Sequence, residues 1–295
     1  MTVTEQANPA TADIDARDSI GILSAIQEQD ALAPAAVKEE IPKIAKAVEA
    51  AVRALRRGGR LIYVGAGTSG RIAMMDAAEC PPTFGTRPEM VQAVIAGGSR
   101  ALRRAVEGAE DSAEQGWDDI IARKVGPRDV VVGLSASGRT PYTLEALRCA
   151  RSRRAKTVAI TSNSGSPLAR LAHIAIVPAT GPEVIAGSTR MKAALAQKMV
   201  LHMISTGAMI LLGNVYRNYM VGVRPTNKKL WERACSIVES VTGVDRQKAD
   251  RTLKQAGKDV KVGIVMLRRD LDRQTAVKLL RRHGGKLRKV LSSQP

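Results

Sequence analysis

The chain has 295 residues and a formal net charge of +18, with 44% hydrophobic but only 2% aromatic residues. The scarcity of aromatic side chains that could stack on bases argues against nucleic-acid binding, despite the positive charge. No apolar run reaches the roughly 18 residues of a membrane-spanning helix, and we expect no membrane partner. Three cysteines and three scattered histidines fit no zinc, redox or disulfide spacing, so we expect no metal site.

The first 34 residues are expected to form an extended or partly helical arm. Their start lacks a basic segment followed by an apolar stretch, so no signal peptide is predicted and we expect a cytoplasmic protein. Between Val37 and Leu55, apolar residues recur at intervals of three and four, which predicts one helix that Gly58 and Gly59 end.

From residue 60 onwards, strand-like runs alternate with helical segments. The predicted strands cover residues 61–64, 91–95, 129–134, 157–161 and 174–177, and the helices between and after them cover 72–80, 111–124, 141–153 and 189–212. Such alternation predicts an α/β fold, a doubly wound parallel sheet with flanking helices on both faces.

After Asn227 the pattern changes to short amphipathic segments. They cover residues 231–241, 244–254, 259–266 and 273–282, and only Val262–Leu267 is ambiguous between strand and helix. We therefore predict three regions: an N-terminal arm and helix (1–55), an α/β domain (56–225) and a small all-helical C-terminal domain (226–295).

A first glycine loop, residues 65–71, follows the first predicted strand and precedes a helix. This order directs free backbone N–H groups at an anion, most often a phosphate. Its glycines match the dinucleotide-binding pattern G-x-G-x-x-G: Gly65, Gly67 and Gly70. However, the next strand ends without the carboxylate that dinucleotide binding requires. The hydroxyls of Thr68 and Ser69 favour a small phosphate monoester, and a purely structural turn is the alternative.

A second hydroxyl-glycine loop, residues 135–141, follows the strand at 129–134. Two such loops in one parallel sheet can converge on one ligand above the carboxyl ends of the strands. The alternative is an ordinary helix cap by Ser137 or Thr140. We expect the phosphate and sugar to be held by residues of both loops: Gly67, Thr68, Ser69, Gly70, Ser135, Ser137, Gly138 and Thr140.

Two carboxylates are candidates for acid–base chemistry. Glu79 precedes Cys80, Pro81 and Pro82, and because proline disfavours helix at the residue before it, we expect the helix to end there. Glu110 lies just before a helix that Asp111 or Ser112 would cap, and is free to face a pocket. Each alone would be an ordinary surface residue, but a pair near a phosphate could serve as base and acid.

These segments resemble the N-acetylmuramic acid 6-phosphate etherases, a family of sugar isomerase (SIS) domain proteins. The resemblance runs from about Asp15 to His283 and is carried by six motifs: GAGTSGR (65–71), ECPPTFG (79–85), AGG (96–98), AVEGAEDS (105–112), SGRTPY (137–142) and GSTRMKA (187–193). It implies a homodimer with an SIS core, a small helical C-terminal domain and a sugar-phosphate substrate.

The resemblance also implies a reaction: cleavage of the D-lactyl ether of N-acetylmuramic acid 6-phosphate to N-acetylglucosamine 6-phosphate and D-lactate. This lyase would act by elimination and then hydration, in recycling of bacterial cell-wall amino sugar, with no metal or organic cofactor. Glu110 would be the base at C2, and Glu79 the acid that protonates lactate and later activates water.

Two alternatives use the same loops. A non-catalytic sugar-phosphate-binding regulator, such as the glucokinase regulatory proteins, should lack one glutamate or carry an added DNA-binding region, and neither feature is seen in this sequence. An aldose–ketose isomerase would employ different acid–base residues.

Overall fold

The computed structural model describes residues 2–293. Its five strands form one parallel sheet in the order β2-β1-β3-β4-β5, and they are β1 Leu61–Gly65, β2 Val91–Ile95, β3 Val130–Leu134, β4 Lys156–Ile160 and β5 Ile174–Ile176. The chain leaves β1 towards β2 on one side and returns to β3 on the other. The carboxyl ends of β1 and β3 therefore form the topological switch point, where open α/β sheets bind ligands.

The central strands are continuous apolar runs because both faces of the sheet are covered. Every residue of β1 and β3 is buried. In the register, Gly65 pairs with Leu134, so the two glycine loops leave the sheet side by side. This arrangement confirms the predicted α/β fold with a parallel sheet.

Thirteen α-helices occur within residues 2–293. They are α1 Ser19–Asp30, α2 Leu32–Glu39, α3 Ile41–Arg56, α4 Gly67–Phe84, α5 Ala113–Ala122, α6 Pro141–Ser152, α7 Pro167–Leu171, α8 Lys192–Leu211, α9 Lys228–Thr242, α10 Arg246–Gln255, α11 Val260–Arg269, α12 Arg273–Arg282 and α13 Leu287–Ser292. Short 3-10 turns occupy Val3–Glu5, Pro9–Thr11, Ile14–Ala16, Gly98–Leu102 and Ala109–Asp111.

Helices cover the two sheet faces through alternating strand residues. Ile62 and Val64 of β1 lie in one apolar cluster with Tyr142 and Leu147 of α6. Tyr63, between them, faces the other way, and its hydroxyl donates a 2.9 Å hydrogen bond to Asp76 of α4. The side-chain alternation of a strand thus puts α6 and α4 on opposite faces.

Several predicted boundaries are wrong. The helix expected over 37–55 is two helices that meet at Glu40, with Pro42 in the first turn of α3, where proline is tolerated. The prediction left segment 262–267 open between strand and helix, and the structure makes it helical within α11; α13 has no counterpart in the prediction.

The largest correction concerns α4. It begins at Gly67, inside the expected loop, and continues through Pro81 and Pro82 to Phe84. Proline keeps a helical φ while removing its own N–H, so it weakens the helix without always ending it. The bond from the Gly85 N–H to the Pro81 carbonyl (2.9 Å) shows that the final turn still forms.

The described chain divides into two compact units. The first comprises the residues up to Ala78 and Glu89–Ser205, and the second Glu79–Pro88 and the residues from Thr206 onwards. Among the described residues one helix, α8, is long and apolar enough to cross a membrane, yet half of its most apolar window is buried inside the protein. Fully buried Val200, Leu201 and Ile204 are typical of a core helix, as predicted for this segment.

The second unit contains the helices α9 to α13 around its own aliphatic core. Four of these helices begin at a residue whose side chain accepts a hydrogen bond from a first-turn N–H: Asn227, Asp245, Asp259 and Asp272. Such N-caps satisfy otherwise unpaired backbone donors, which explains where these short helices start.

Candidate functional site

A cavity of about 370 Å³, the sheet-edge cavity, lies at the carboxyl ends of β1 and β3, within the first unit. Seven predicted site residues line it: Gly67, Thr68, Ser69, Glu110, Ser135, Ser137 and Thr140. Gly70 and Gly138 are buried and are not among the lining residues. The structure therefore brings the two hydroxyl-glycine loops and one of the two glutamates to one place.

The first loop is the start of α4. Gly67 has a φ of +52°, which lets the chain turn directly from β1 into the helix. Thr68 and Ser69 then lie in the first turn of an 18-residue helix, where unpaired N–H groups and the positive end of the helix dipole favour an anion. Neither hydroxyl hydrogen-bonds to a residue of the described chain.

Gly70 packs this first turn against the sheet. A Cβ on Gly70 would lie 2.5 Å from Cγ1 of Ile95 and 2.8 Å from the carbonyl oxygen of Gly65. Only glycine allows the helix to approach the strands so closely, so the role of Gly70 is to position the loop.

The hydroxyls of the second loop bond to one another. Oγ of buried Ser135 is 2.8 Å from Oγ1 of Thr140 and 3.3 Å from Oγ of Ser137. Ser135 Oγ also accepts a hydrogen bond from the Gly138 N–H (3.0 Å). Thr140 precedes α6 but makes no side-chain cap bond to it, so the helix-cap alternative does not account for these residues.

Gly138 is the turning point of the second loop. Its φ is +66°, and an added Cβ would lie 2.3 Å from Oγ of Ser166 and 2.8 Å from Oγ1 of Thr161. Both the left-handed backbone and the crowding require glycine at this position.

Glu110 reaches the cavity from the 3-10 turn that precedes α5. Gly108, with a φ of +71°, turns the chain, and Ser112 caps α5 by accepting from the Gln115 N–H (3.2 Å). Glu110 is thus left exposed, without a hydrogen bond or ion pair to residues 2–293. It also lines an adjoining cavity of about 240 Å³ together with Arg71.

Glu79 is placed differently from the prediction. Because α4 continues through the two prolines, Glu79 lies within the helix rather than at its end, and it is exposed. It belongs to the second unit and is not among the residues lining the sheet-edge cavity. Its pairing with Glu110 stays a prediction.

A half-buried carboxyl one turn before Glu79, that of Asp76, was not singled out from the sequence. Asp76 accepts hydrogen bonds from Tyr63 Oη (2.9 Å) and Ser205 Oγ (3.1 Å). Burial raises the pKa of Asp76, while these two hydrogen bonds act in the opposite direction. Asp76 therefore fastens α4 to β1 and α8 within the first unit.

Sequence reasoning also missed residues of the cavity wall. Glu5, Gly187 and Thr189 line it, although the arm that carries Glu5 was expected only to be extended or partly helical. Thr189 stands in the GSTRMKA motif, which was a usable signal, whereas no local pattern marks Glu5 as a site residue.

A cavity of about 680 Å³ lies within the second unit and is lined by the basic residues Arg224, Lys258, Lys261 and Arg273. Burial lowers the pKa of Lys261. None of the predicted site residues lines this cavity, so the sheet-edge cavity is the better candidate for catalysis. Within residues 2–293, no group of three or more His, Cys, Asp or Glu is placed to hold a metal ion.

Family models match most of the chain. The glucokinase regulatory protein N-terminal SIS domain matches residues 43–151, the SIS domain 111–207, and the C-terminal lid domain of glucokinase regulatory protein 217–282. The N-acetylmuramic acid 6-phosphate etherases of Salmonella typhi and Salmonella typhimurium are each 51% identical over 289 residues, which is 98% of this chain and 97% of theirs. The chain belongs to the N-acetylmuramic acid 6-phosphate etherase family.

Membership confirms the resemblance drawn from the six motifs and makes the protein an enzyme of the etherase class. A solved phosphoheptose isomerase from Francisella tularensis shares the fold, with a TM-score of 0.50 and 20% identity over 65% of this chain and 98% of that one. The etherase family membership and the full-length relatives favour catalysis over the purely regulatory alternative.

Proposed function

We propose that the protein cleaves the D-lactyl ether of N-acetylmuramic acid 6-phosphate, giving N-acetylglucosamine 6-phosphate and D-lactate. One observation carries the proposal: two hydroxyl-glycine loops and an unpartnered carboxylate, Glu110, line a single cavity at the switch point of the sheet. The 51% identity to proteins named for this activity supports the choice of substrate.

The phosphate would bind between the two loops. The first turn of α4 offers its free N–H groups and the hydroxyls of Thr68 and Ser69, all of which can donate to phosphate oxygens. The network of Ser135, Ser137 and Thr140 faces the same cavity and can reorient its hydroxyl protons towards the anion. Anchoring this end would hold the sugar for chemistry at C2 and C3.

The reaction would begin on the ring-opened sugar, in which the C1 aldehyde acidifies the C2 proton. Glu110 takes that proton, the C3–O bond breaks, and Glu79 protonates the departing lactate oxygen. Glu79 then accepts a proton from water as its oxygen adds to C3 of the unsaturated aldehyde, and Glu110 returns a proton to C2. Both carboxyls end as they began, and one water is consumed.

Cellular context completes the proposal. The enzyme would work as a cytoplasmic homodimer in the recycling of bacterial cell-wall amino sugar. The support for this part is the family membership alone.

Release of D-lactate from N-acetylmuramic acid 6-phosphate tests the reaction. We expect turnover by the wild type, and a loss of about 10²- to 10⁴-fold in kcat for Glu110→Gln and for Glu79→Gln, because each removes a proton-transfer group. The matched control is Glu114→Gln, an exposed glutamate of α5 that does not line the cavity.

Three results would contradict the proposal. A wild type that binds the sugar phosphate but releases no lactate would be a binding protein. Near-full turnover by Glu110→Gln or by Glu79→Gln would remove that residue from the mechanism. A loss as large in Glu114→Gln would show that the assay reports charge rather than chemistry.

A further inference from the structure

The N-terminal arm is fastened to the edge of the sheet that carries the candidate site. The Val3 N–H donates a 2.8 Å hydrogen bond to Oδ1 of Asn163, just beyond the end of β4. Thr4 is fully buried, and its carbonyl accepts from the Gly187 N–H at 3.0 Å. Backbone and side-chain bonds thus fix the arm immediately before Glu5.

A second set of bonds fixes the arm immediately after Glu5. Nδ2 of Asn8 donates to Oε1 of Gln29 (2.8 Å) and to the carbonyl of Pro182 (3.2 Å). The buried Thr11 hydroxyl donates to the carbonyl of Val184 at 2.9 Å. Glu5 therefore lies on a short segment that is held at both ends.

The Glu5 side chain lines the sheet-edge cavity. Its carboxylate lies against Gly187, where an added Cβ would be 3.0 Å from Oε2. It makes no hydrogen bond or ion pair with any residue from 2 to 293. The exposed Glu5 carboxylate therefore stands at the cavity wall with no partner among the described residues.

An ionised carboxylate accepts hydrogen bonds but donates none. It therefore offers no donor to a phosphate, which the two hydroxyl-glycine loops of the cavity wall are suited to hold, and it repels a second anion placed beside it. The ligand group that suits Glu5 is a neutral donor attached to an anion bound elsewhere in the cavity.

We propose that Glu5 is a specificity-determining residue that accepts a hydrogen bond from a sugar hydroxyl of the bound sugar phosphate. The arm would thereby distinguish a phosphorylated sugar from phosphate alone. This inference rests on the proposed function, since it takes the sugar phosphate to bind in this cavity.

Two probes separate this role from a structural one: inorganic phosphate and N-acetylglucosamine 6-phosphate, measured by calorimetry on the full chain. In Glu5→Gln we expect the Kd of the sugar phosphate to rise at least about tenfold, as for loss of one charged hydrogen bond. The Kd of inorganic phosphate should stay the same or fall, because a nearby negative charge is gone. The Tm should not change.

Two further variants sharpen the test. Glu5→Asp keeps the charge but shortens the side chain by one methylene. It should therefore raise the Kd of the sugar phosphate and leave the Kd of inorganic phosphate unchanged. Gln6→Ala alters the neighbouring exposed residue, which does not line the cavity, and should change neither Kd.

The inference is overturned if Glu5→Gln weakens both ligands together with a lower Tm, if it tightens both, or if it changes neither. Failure of the wild type to bind the sugar phosphate also overturns it. D-lactate release by the wild type is measured separately. The expected binding pattern without lactate release would leave Glu5 assigned and reject the proposed reaction, whereas lactate release without that pattern would do the reverse.

Discussion

The two glycine loops line the same cavity but are built differently. The first is the opening turn of α4, and its hydroxyls, on Thr68 and Ser69, have no bonding partner in the described chain. The second is a separate turn whose hydroxyls already bond to one another around Ser135. The first loop thus keeps its donors available, while the second uses the same groups to hold its own shape.

The hydroxyls that line this cavity can therefore have two separable effects. A hydroxyl with no protein partner contributes to affinity only, because its removal costs the folded protein no hydrogen bond. A hydroxyl inside a network contributes to stability as well, since its removal leaves buried groups with fewer partners. Substitutions in the two loops should therefore separate stability from binding.

The largest effect is expected for Gly138→Ala. The alanine would have to adopt a φ of +66° with its Cβ 2.3 Å from Ser166 Oγ, so the free energy of unfolding should fall by about 2 to 4 kcal/mol. Urea unfolding measures the loss. Gly126→Ala is the control, because that glycine has no left-handed φ and no atom within 4 Å of an added Cβ. Equal stability of the two variants would mean that the second loop is not rigid.

A smaller effect is expected for Ser135→Ala. The variant loses the Oγ that bonds to Thr140 and to the Gly138 N–H, although that N–H keeps its 3.0 Å bond to the Ser135 carbonyl. We expect a loss of about 1 kcal/mol in unfolding free energy and weaker phosphate binding. Thermal unfolding and phosphate calorimetry on the same sample measure both. Weaker phosphate binding with an unchanged free energy of unfolding would show that the hydroxyl network does not stabilise the loop.

The smallest effect on stability is expected for Ser69→Ala. Because this hydroxyl has no partner in the described chain, the free energy of unfolding should change by less than about 0.5 kcal/mol. The Kd of inorganic phosphate should nevertheless rise about tenfold. Ser19→Ala, an exposed serine of α1 outside the cavity, serves as the control. If Ser69→Ala destabilises the protein as much as Ser135→Ala does, the contrast between the loops is wrong.

Much of the fold could be predicted because its signals are local. Apolar runs marked the strands, and hydroxyl-glycine segments followed β1 and β3, so both loops could be assigned to one edge of a parallel sheet. Glu110 was expected just outside a helix capped by Asp111 or Ser112, and the structure has Ser112 as the cap.

The remaining features depend on contacts that no local pattern encodes. Pro81 and Pro82 predicted a helix end after Glu79, but the turn closed by the Gly85 N–H carries α4 on to Phe84. The position of Glu5 depends largely on bonds that span 160 or more positions of the chain, such as the bond between Val3 and Asn163. Long-range hydrogen bonds of this kind are invisible to periodicity and spacing.

The continuation of α4 through two prolines has a mechanical consequence. Pro81 and Pro82 have no N–H, so the carbonyls of Ala77 and Ala78 lack the donor that an unbroken helix would offer them. Two consecutive backbone hydrogen bonds, which would span Glu79 in an ordinary helix, are therefore missing. A bend of α4 at this turn would therefore break fewer backbone hydrogen bonds than a bend elsewhere in the helix.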